Sequence, residues 1–351
     1  MPQIYEDYWN LTLAWTDFNG KKFIDTLKLV IDFIDSHKNQ DFSEKLYASL
    51  QQIVQKHLKI EAPSVRKGIN ELVKLGFITP FLKSYHPLSK NYLESSLDDE
   101  RKLILSKIIY SNSSFKRSVT TESSVREINF VVKTIEHVKS LHEKYLGVII
   151  SIDINEYPEG YISKEKLERL YRDEDQAKFE ERKYNQIGYL KGLLKKLDGI
   201  LYISSSFSLE TDIEKVRIEN IQETKGRDSY LQRLYKQQLQ KESQRVFGKV
   251  KCMVERLEYP VLIASHIKPY RDSNDDEAFD PNNGLLLSKT LDSLFDLNYI
   301  SFEDDGTIIF YSRVPEDVKQ FWRDYRLDNR FITPERLTYL AYHRDICEHK
   351  S

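Results

Sequence analysis

The amino-acid sequence predicts a multidomain α+β protein, with helical modules in its N-terminal two thirds and a small unit of two strands and a helix in its C-terminal third. Two observations support this prediction. The N-terminal part contains amphipathic helical patterns that end at glycine and are followed by short apolar runs. In the C-terminal part, two short apolar runs flank a polar loop and precede one amphipathic helix. With 351 residues, the chain is long enough for about two or three domains.

The clearest helix signal in the first predicted module, residues 1–115, is the segment APSVRKGINELVKLGFITP, which begins at Ala62. Pro63 and Ser64 are typical of a helix start, and Gly76 is typical of a helix end. The residues that share its apolar face are Val65, Ile69, Leu72 and Val73. A short apolar strand is expected after Gly76.

This order of helix, glycine and strand resembles a winged helix. The resemblance implies that the helix enters a major groove of DNA with its polar face. The expected contacts on that face are Arg66, Lys67, Asn70 and Lys74. Winged helices also serve as protein-binding modules, and the sequence leaves that alternative open.

A second predicted winged-helix-like module, residues 123–225, has a similar pattern. The segment YISKEKLERLY predicts a helix capped by Ser163. The segment KYNQIGYLKGLLKKLDG predicts another helix that stops at Asp198-Gly199 before a strand. No repeat of fixed period relates the two modules, so their likeness is a structural analogy.

Two linkers are expected. The polar, serine-rich segment 110–122 is the expected boundary between the two modules. A second linker, residues 226–245, contains a charged helix over residues 227–244 (RDSYLQRLYKQQLQKESQ). Its composition favours a solvated spacer, while an Arg, Lys and Gln face that lies along DNA is the alternative. The linker leads into a C-terminal domain predicted over residues 246–351.

The most informative segment of that domain is LIASHIKPYRDSNDDEAFDPNNGLLLSKTLDSLFD, residues 262–296. An apolar run, residues 261–264, predicts a buried strand that ends at His266. After a polar loop, the dipeptide that starts at Asn283 opens a second apolar run. A helix is expected over residues 288–297. On this helix Leu291, Leu294 and Phe295 are expected to face a core, and Asp292 and Asp296 to share another face.

This order of strand, loop, strand and helix resembles the HNH nuclease motif, a compact ββα-metal fold. The sequence words ASHIKPY, NGLLLS and D-x-L-F-D are similar to those of the HNH variety found in bacterial restriction-type endonucleases. The resemblance covers residues 247–311, with the segment LAYHRD at 340–345 as a candidate extension. It implies that His266 is the general base, that Asp292 is the metal ligand, and that Asn283 braces the loop and orients the histidine.

The chemistry of phosphodiester hydrolysis agrees with these residue types. Hydrolysis at neutral pH needs a base that takes a proton from water and a cation that neutralises charge on the leaving oxygen. Histidine, with an unperturbed pKa of about 6.5, suits the first task. A carboxylate suits the second, since hard divalent cations prefer oxygen ligands. Mg²⁺, or another divalent cation such as Mn²⁺, is therefore the expected cofactor.

One departure from the HNH pattern concerns the metal. Many HNH sites have a second acidic ligand immediately before the base, whereas here that position is Ser265, a neutral and weaker ligand. The cation is therefore expected to be loosely held. Asp296, one turn beyond Asp292, is either a further oxygen ligand, directly or through water, or a surface group. The cations expected to neutralise phosphates around the site are Lys268, Arg271 and Lys289.

Other residues carry less information. His343 is expected to pack the terminal helix against the nuclease core, with contact to the site as the alternative. The chain has two cysteines, Cys252 and Cys347, without a C-x-x-C pair, so no structural zinc is expected. The triplet ETK at residues 223–225 matches the E-x-K of PD-(D/E)XK nucleases, but its polar flanks are unlike the buried strand of that class.

Composition bounds the class of protein. With 40% hydrophobic and 31% charged residues, the chain is expected to form ordinary globular cores. A formal net charge of −2 is unlike that of proteins that coat nucleic acid, so affinity for DNA is expected on local basic faces. The sequence shows neither a leader pattern nor a run of about 18 apolar residues, and we expect a soluble, cytoplasmic protein without a membrane partner.

Together these features predict a Mg²⁺-dependent endonuclease whose C-terminal domain cuts double-stranded DNA and whose N-terminal modules select the site. The resemblance implies a type II-like restriction endonuclease that leaves 5′-phosphate and 3′-hydroxyl ends, with a homodimer to cut both strands and a cognate DNA methyltransferase as partner. Two alternatives stay open. One is an endonuclease that depends on methylated or hydroxymethylated DNA, and the other is a winged-helix regulator whose HNH-like tail is degenerate.

Overall fold

The computed structural model of the chain describes residues 8–210 and 228–350. The chain divides into two compact units, Met1–Thr211 and Asp212–Ser351. The first is mostly helical with a small sheet, and the second combines helices with two hairpins. The E-x-K triplet at 223–225 lies outside the described residues. Within those described ranges, none of the helices is long and apolar enough to cross a membrane.

The first unit begins with three helices that pack against one another: α1 (Lys21–Ser36), α2 (Glu44–Leu58) and α3 (Ala62–Lys74). Two further helices, α4 (Leu88–Glu94) and α5 (Asp98–Asn112), follow them. The remaining elements are α6 (Glu127–Val138), β1 (Leu141–His142), α7 (Leu146–Ser151), α8 (Lys164–Tyr171), α9 (Glu174–Leu194), β2 (Ile200–Ile203) and β3 (Ser206–Leu209). The three strands form an antiparallel sheet in the order β1-β3-β2.

Helix α3 confirms the predicted apolar face, because the predicted residues Val65, Ile69, Leu72 and Val73 are all buried. The predicted stop at Gly76 is also confirmed, with a φ of +87°. The Gly76 N–H donates to Val73 O and the Phe77 N–H donates to Leu72 O, which are the two bonds of a Schellman motif. A side chain at Gly76 would be strained in this left-handed conformation.

The apolar strand predicted after Gly76 is reduced to one bridge, between Ile78 and Tyr85. The reason is a tight loop between the two bridge residues. Thr79 donates its N–H to Ser84 O at 3.0 Å, and Ser84 returns its N–H to the Thr79 hydroxyl at 2.9 Å. These bonds end the ladder after one pair, so a long β-hairpin is not formed here.

The predicted boundary at residues 110–122 lies inside the first unit. Ser113 and Ser114 are buried, and the Ser114 N–H donates to Lys74 O at 2.8 Å. Phe115 is also buried and its ring contacts that of Trp9. Ser113 and Ser114 are therefore part of the interior of the first unit, and composition alone does not distinguish such serines from those of an exposed linker.

The end of the first unit confirms the predicted helices and strand. Ser163 caps α8 by accepting the N–H of Lys166 at 3.3 Å, and Gly199, with a φ of +72°, separates α9 from β2. The predicted strand pairs with a second strand, so that β2 and β3 form a hairpin. Its turn residues, Ser204 and Ser205, both have positive φ, as a type I′ turn requires.

The second unit contains the predicted order of strand, loop, strand and helix. Its elements are α10 (Ser229–Phe247), β4 (Leu262–His266), α11 (Asp275–Ala278), β5 (Gly284–Ser288), α12 (Lys289–Asp296), β6 (Ile300–Phe302), β7 (Ile308–Phe310), α13 (Glu316–Trp322) and α14 (Pro334–Lys350). β4 pairs antiparallel with β5, so that Ser265 lies opposite Leu285 and His266 lies opposite Gly284. As predicted, Leu291 and Phe295 are fully buried and Leu294 packs against the same core.

The interpretation of residues 227–244 as a solvated spacer is wrong. Helix α10 packs against both β4 and β5. Its buried residues are Tyr230, Leu234, Tyr235, Leu239 and Ser243. Their spacing of four, one, four and four residues places them in two neighbouring rows along the helix. Charged residues between these rows, such as Lys241 and Glu242, obscured the pattern in the sequence, and α10 is part of the core of the second unit.

Candidate active site

His266 is the last residue of β4 and is half-buried. Its Nε2 lies 2.9 Å from the carbonyl oxygen of Ala278. A carbonyl oxygen only accepts hydrogen bonds, so Nε2 carries the hydrogen and Nδ1 is the basic nitrogen of the neutral ring. A backbone atom in the loop therefore sets the tautomer of His266.

Two tyrosines hold the plane of the His266 ring. Tyr235 stacks on the ring with centroids 4.6 Å apart and planes inclined by 15°. Tyr270 approaches edge-on, at 5.9 Å and 84°. Both geometries are favourable for aromatic pairs. The imidazole therefore keeps its orientation by packing as well as by its hydrogen bond.

Asn283 is fully buried and joins the two ends of the loop that connects β4 to β5. Its Oδ1 accepts the N–H of Lys268 at 2.6 Å, and its Nδ2 donates to the carbonyl oxygen of Glu277 at 3.0 Å. The Glu277 carbonyl is adjacent in the chain to the Ala278 peptide that holds His266. The side-chain amide of Asn283 therefore holds the backbone next to the carbonyl group that orients the imidazole of His266, as expected of a residue that braces the loop.

Asp292 lies in the first turn of α12 and is half-buried. Burial raises the pKa of its carboxyl group, and the nearby charge of Asp296 raises it further. Ser265 lies close enough to lower this pKa. The contact nevertheless lacks full hydrogen-bond geometry: among the residues that the structure describes, the buried Ser265 Oγ has no hydrogen-bond partner. The two side chains are therefore close but not bonded to each other.

These oxygen atoms fit a hard divalent cation. Ser265 Oγ is buried and has no hydrogen-bond partner within residues 8–210 and 228–350, and the ionised form of Asp292 is disfavoured by burial and by a like charge. A cation would relieve both, since Mg²⁺ takes oxygen ligands and keeps several waters. In the part of the chain that the structure describes, no group of three or more His, Cys, Asp or Glu side chains could hold a metal. Water would therefore have to supply most of the ligands.

Ser265 and His266 are consecutive in β4, so their side chains project to opposite faces of the hairpin. Helix α12, which carries Asp292, packs against this hairpin, and so does α10, which carries Tyr235. At the end of β4, the oxygen atoms of Ser265 and Asp292 that could bind a cation therefore lie on one face of the hairpin, and the imidazole of His266 projects from the other face.

The three cations predicted around this site differ in their surroundings. Lys268 Nζ forms a 2.6 Å ion pair with Glu277, and this contact lowers the pKa of Glu277. Arg271 is exposed and lies near Asp272, at 3.7 Å. Lys289 is exposed at the first residue of α12. Lys268 therefore supports the loop, whereas Arg271 and Lys289 face solvent.

The residues predicted on α3 also fall into two groups. Arg66 and Lys67 are exposed. Asn70 Oδ1 accepts the N–H of Val119 at 2.9 Å, and Lys74 Nζ donates to Asn10 O at 2.5 Å. Asn70 and Lys74 thus make internal contacts within the first unit, and the exposed cations of the predicted set are Arg66 and Lys67.

His343 packs α14 against the core, as the first of its two predicted roles requires. It is buried, its Nε2 lies 3.2 Å from Phe295 O, and its ring stacks on that of Phe295 at 3.9 Å. Its Nδ1 lies 3.0 Å from the Ser301 hydroxyl. In this buried position, both ring nitrogens of His343 have polar partners and the ring itself packs on Phe295.

The comparison with protein families agrees with this geometry. Residues 252–303 match the family model described as HNH endonuclease. The matched segment of this HNH domain includes β4, the loop, β5 and α12, and it therefore includes Ser265, His266, Asn283, Asp292 and Asp296. It supports a nuclease that acts on DNA. None of the curated proteins compared with the chain matches it.

Proposed function

We propose that the chain is a divalent-cation-dependent DNA endonuclease with His266 as its general base. The observation that supports this proposal most strongly is the strand end of β4. There the imidazole, held through Nε2 by Ala278 O, is next in sequence to Ser265, whose side chain lies close to Asp292. Hydrolysis of a phosphodiester needs both a base for the attacking water and a cation that neutralises charge on the leaving oxygen.

In this proposal His266 Nδ1 takes a proton from the attacking water. The resulting imidazolium keeps its Nε2 hydrogen bond to Ala278 O, which is shortened and strengthened when the donor is charged. Asn283 maintains the loop in which that carbonyl lies. The residues that would hold the cation are Asp292 and Ser265, with Asp296 as a ligand through water. A bound Mg²⁺ or Mn²⁺ would supply neutralisation of charge on the leaving 3′-oxygen.

We propose that the first unit recognises double-stranded DNA. In its second half, α6, β1, α7 to α9, β2 and β3 follow one another with strand order β1-β3-β2, which supports a winged-helix-like interpretation of this part. On α3, the exposed Arg66 and Lys67 are proposed phosphate contacts. A restriction role, a homodimer and a partner methyltransferase remain proposals that rest on the resemblance of the C-terminal motif.

The test is cleavage of supercoiled plasmid by the purified full-length protein with Mg²⁺. We expect His266→Ala to lose at least about a hundredfold in cleavage rate, since a general base contributes on that order, while retaining affinity for DNA. The matched control is His349→Ala, which changes an exposed histidine of α14. Cleavage by His266→Ala at the rate of the unmodified chain would reject the proposed base.

A further inference from the structure

Tyr235 lies on α10, upstream of the segment that matches the HNH family, and it contacts two residues of the proposed site. Its ring stacks on His266 at 4.6 Å. Its hydroxyl donates to the carbonyl oxygen of Asn283 at 2.9 Å. The side chain is fully buried, and burial raises the pKa of its hydroxyl, so this group stays a hydrogen-bond donor throughout the physiological pH range.

The neighbouring Gly284 leaves the space that Tyr235 occupies. Gly284 lies opposite His266 in the hairpin and has an extended backbone that any residue could adopt. A Cβ atom there would lie only 2.8 Å from Tyr235 Cζ and 2.9 Å from Leu239 Cδ1. The glycine is therefore required for the close approach of α10 to the hairpin and not for a turn.

The carbonyl oxygen of Asn283 also contacts the backbone at the end of β4. It accepts the N–H of Ile267, the residue after His266, at 3.1 Å in addition to the Tyr235 hydroxyl. Tyr235 thus supports His266 in two ways, through its ring and through the peptide that holds the next residue. Loss of the hydroxyl and loss of the ring should therefore have separable effects.

A second contact attaches α10 to the same loop. Arg336 forms two 2.9 Å hydrogen bonds with Glu242, which lies seven residues after Tyr235 and hence on the same face of α10. Arg336 Nη2 also donates to Pro281 O at 3.0 Å. The turn that ends in Asn283 is therefore attached to α10 at two points, directly by Tyr235 and through Arg336 by Glu242. These two attachments fix its position relative to Tyr235.

We propose that Tyr235 is a positioning residue that orients His266 and Asn283 for cleavage, so that the functional nuclease includes α10 as well as the matched HNH segment. This inference rests on the proposed function. A base that is misplaced by about 1 Å can lose about a hundredfold in rate.

The experiment compares Tyr235→Phe and Tyr235→Leu in the full chain by single-turnover plasmid cleavage with Mg²⁺ across pH 5 to 9. Tyr235→Phe keeps the stacked ring, and we expect a roughly tenfold lower rate with an unchanged pH profile. Tyr235→Leu removes the ring. We expect a roughly hundredfold lower rate, because the imidazole then lacks the stacked ring that fixes its plane. DNA affinity should be unchanged in both variants.

The matched control is Tyr230→Phe, which removes a hydroxyl from another buried tyrosine of the same helix and should retain the full rate. Thermal unfolding shows whether each variant is folded, and if Tyr235→Leu does not fold, the rate of Tyr235→Phe decides. Wild-type rates for folded Tyr235 variants, or a loss of rate equal to that of Tyr230→Phe, would overturn the inference. If His266→Ala cleaves normally, the proposed function fails instead.

Discussion

Arg336 and Glu242 form a bidentate pair, with both hydrogen bonds at 2.9 Å, that joins α14 to α10. Arg336 is 1% exposed, whereas the Glu242 side chain is 25% exposed. The guanidinium donates as well to Phe331 O and Pro281 O. One arginine thus connects α14, α10 and the loop between β4 and β5.

We expect Arg336→Met to lower the free energy of unfolding by about 2 to 4 kcal/mol, because it leaves Glu242 and two carbonyl oxygens without their donor. Glu242→Gln should lower it less, since the amide still accepts one bond and the site is partly solvated. Urea denaturation of both single variants and of the double variant gives the coupling energy. A coupling energy near zero would show that the pair contributes little.

The metal dependence of the proposed site leads to a second prediction. The pKa of Asp292 is raised by burial and by Asp296, so the ionised form is disfavoured without a cation. We expect Asp292→Asn to raise the melting temperature of the metal-free protein and to abolish any further stabilisation by Mg²⁺. Cleavage should be lost in the same variant.

Thermal unfolding with and without Mg²⁺ measures these effects independently of cleavage. Asp296→Asn is the comparison variant. Because Asp296 is exposed, it should shift the Mg²⁺ dependence to higher concentration, by about tenfold, without abolishing it. Equal Mg²⁺ stabilisation of Asp292→Asn and the unmodified chain would argue against Asp292 as a ligand.

A third prediction concerns the pH dependence of stability in the first unit. Glu71 Oε2 accepts the N–H groups of Ala14, at 2.8 Å, and Trp15, at 2.9 Å. Burial outweighs these bonds and raises the pKa of Glu71 to about 8. An unfolded glutamate titrates near about 4.3. Between these values the folded state binds more protons, so this contribution to stability is lost as pH rises through about 8.

We therefore expect Glu71→Gln, which cannot ionise, to be less sensitive to pH than the unmodified chain. The decrease in the free energy of unfolding between pH 5 and pH 8 should be smaller in the variant by about 1 to 3 kcal/mol, since each unit of pKa shift corresponds to about 1.4 kcal/mol. Urea denaturation at the two pH values measures it, with the exposed Glu122→Gln as control. Burial also raises the pKa of Glu127, to about 7, so some pH dependence should remain. A slope unchanged by Glu71→Gln would contradict the prediction.

Several elements could be predicted because their signals are local. The apolar face of α3 and its stop at Gly76 follow from a helical period and from one residue that tolerates positive φ. The order β4, β5 and α12 follows from two short apolar runs and an amphipathic helix. Each of these signals depends only on residues within one or two turns of each other.

Other features depended on contacts between distant residues. Lys268 and Lys74 looked like free cations in the sequence, but they pair with Glu277 and with Asn10 O. Tyr235 is one of two tyrosines on a helix rich in charged residues, and its role could not be predicted because its partners His266 and Asn283 lie far along the chain.

The sequence by itself determined that the C-terminal third has a ββα unit and which residue types at its strand end suit phosphodiester chemistry. Only the tertiary structure decided that Nδ1 is the basic nitrogen of His266, that α10 packs into the core of the second unit, and that the serine-rich segment 110–122 lies within the first unit. The physical reason is that periodicity and turn residues act locally, whereas burial and hydrogen-bond partners are set by chain segments that meet only after folding.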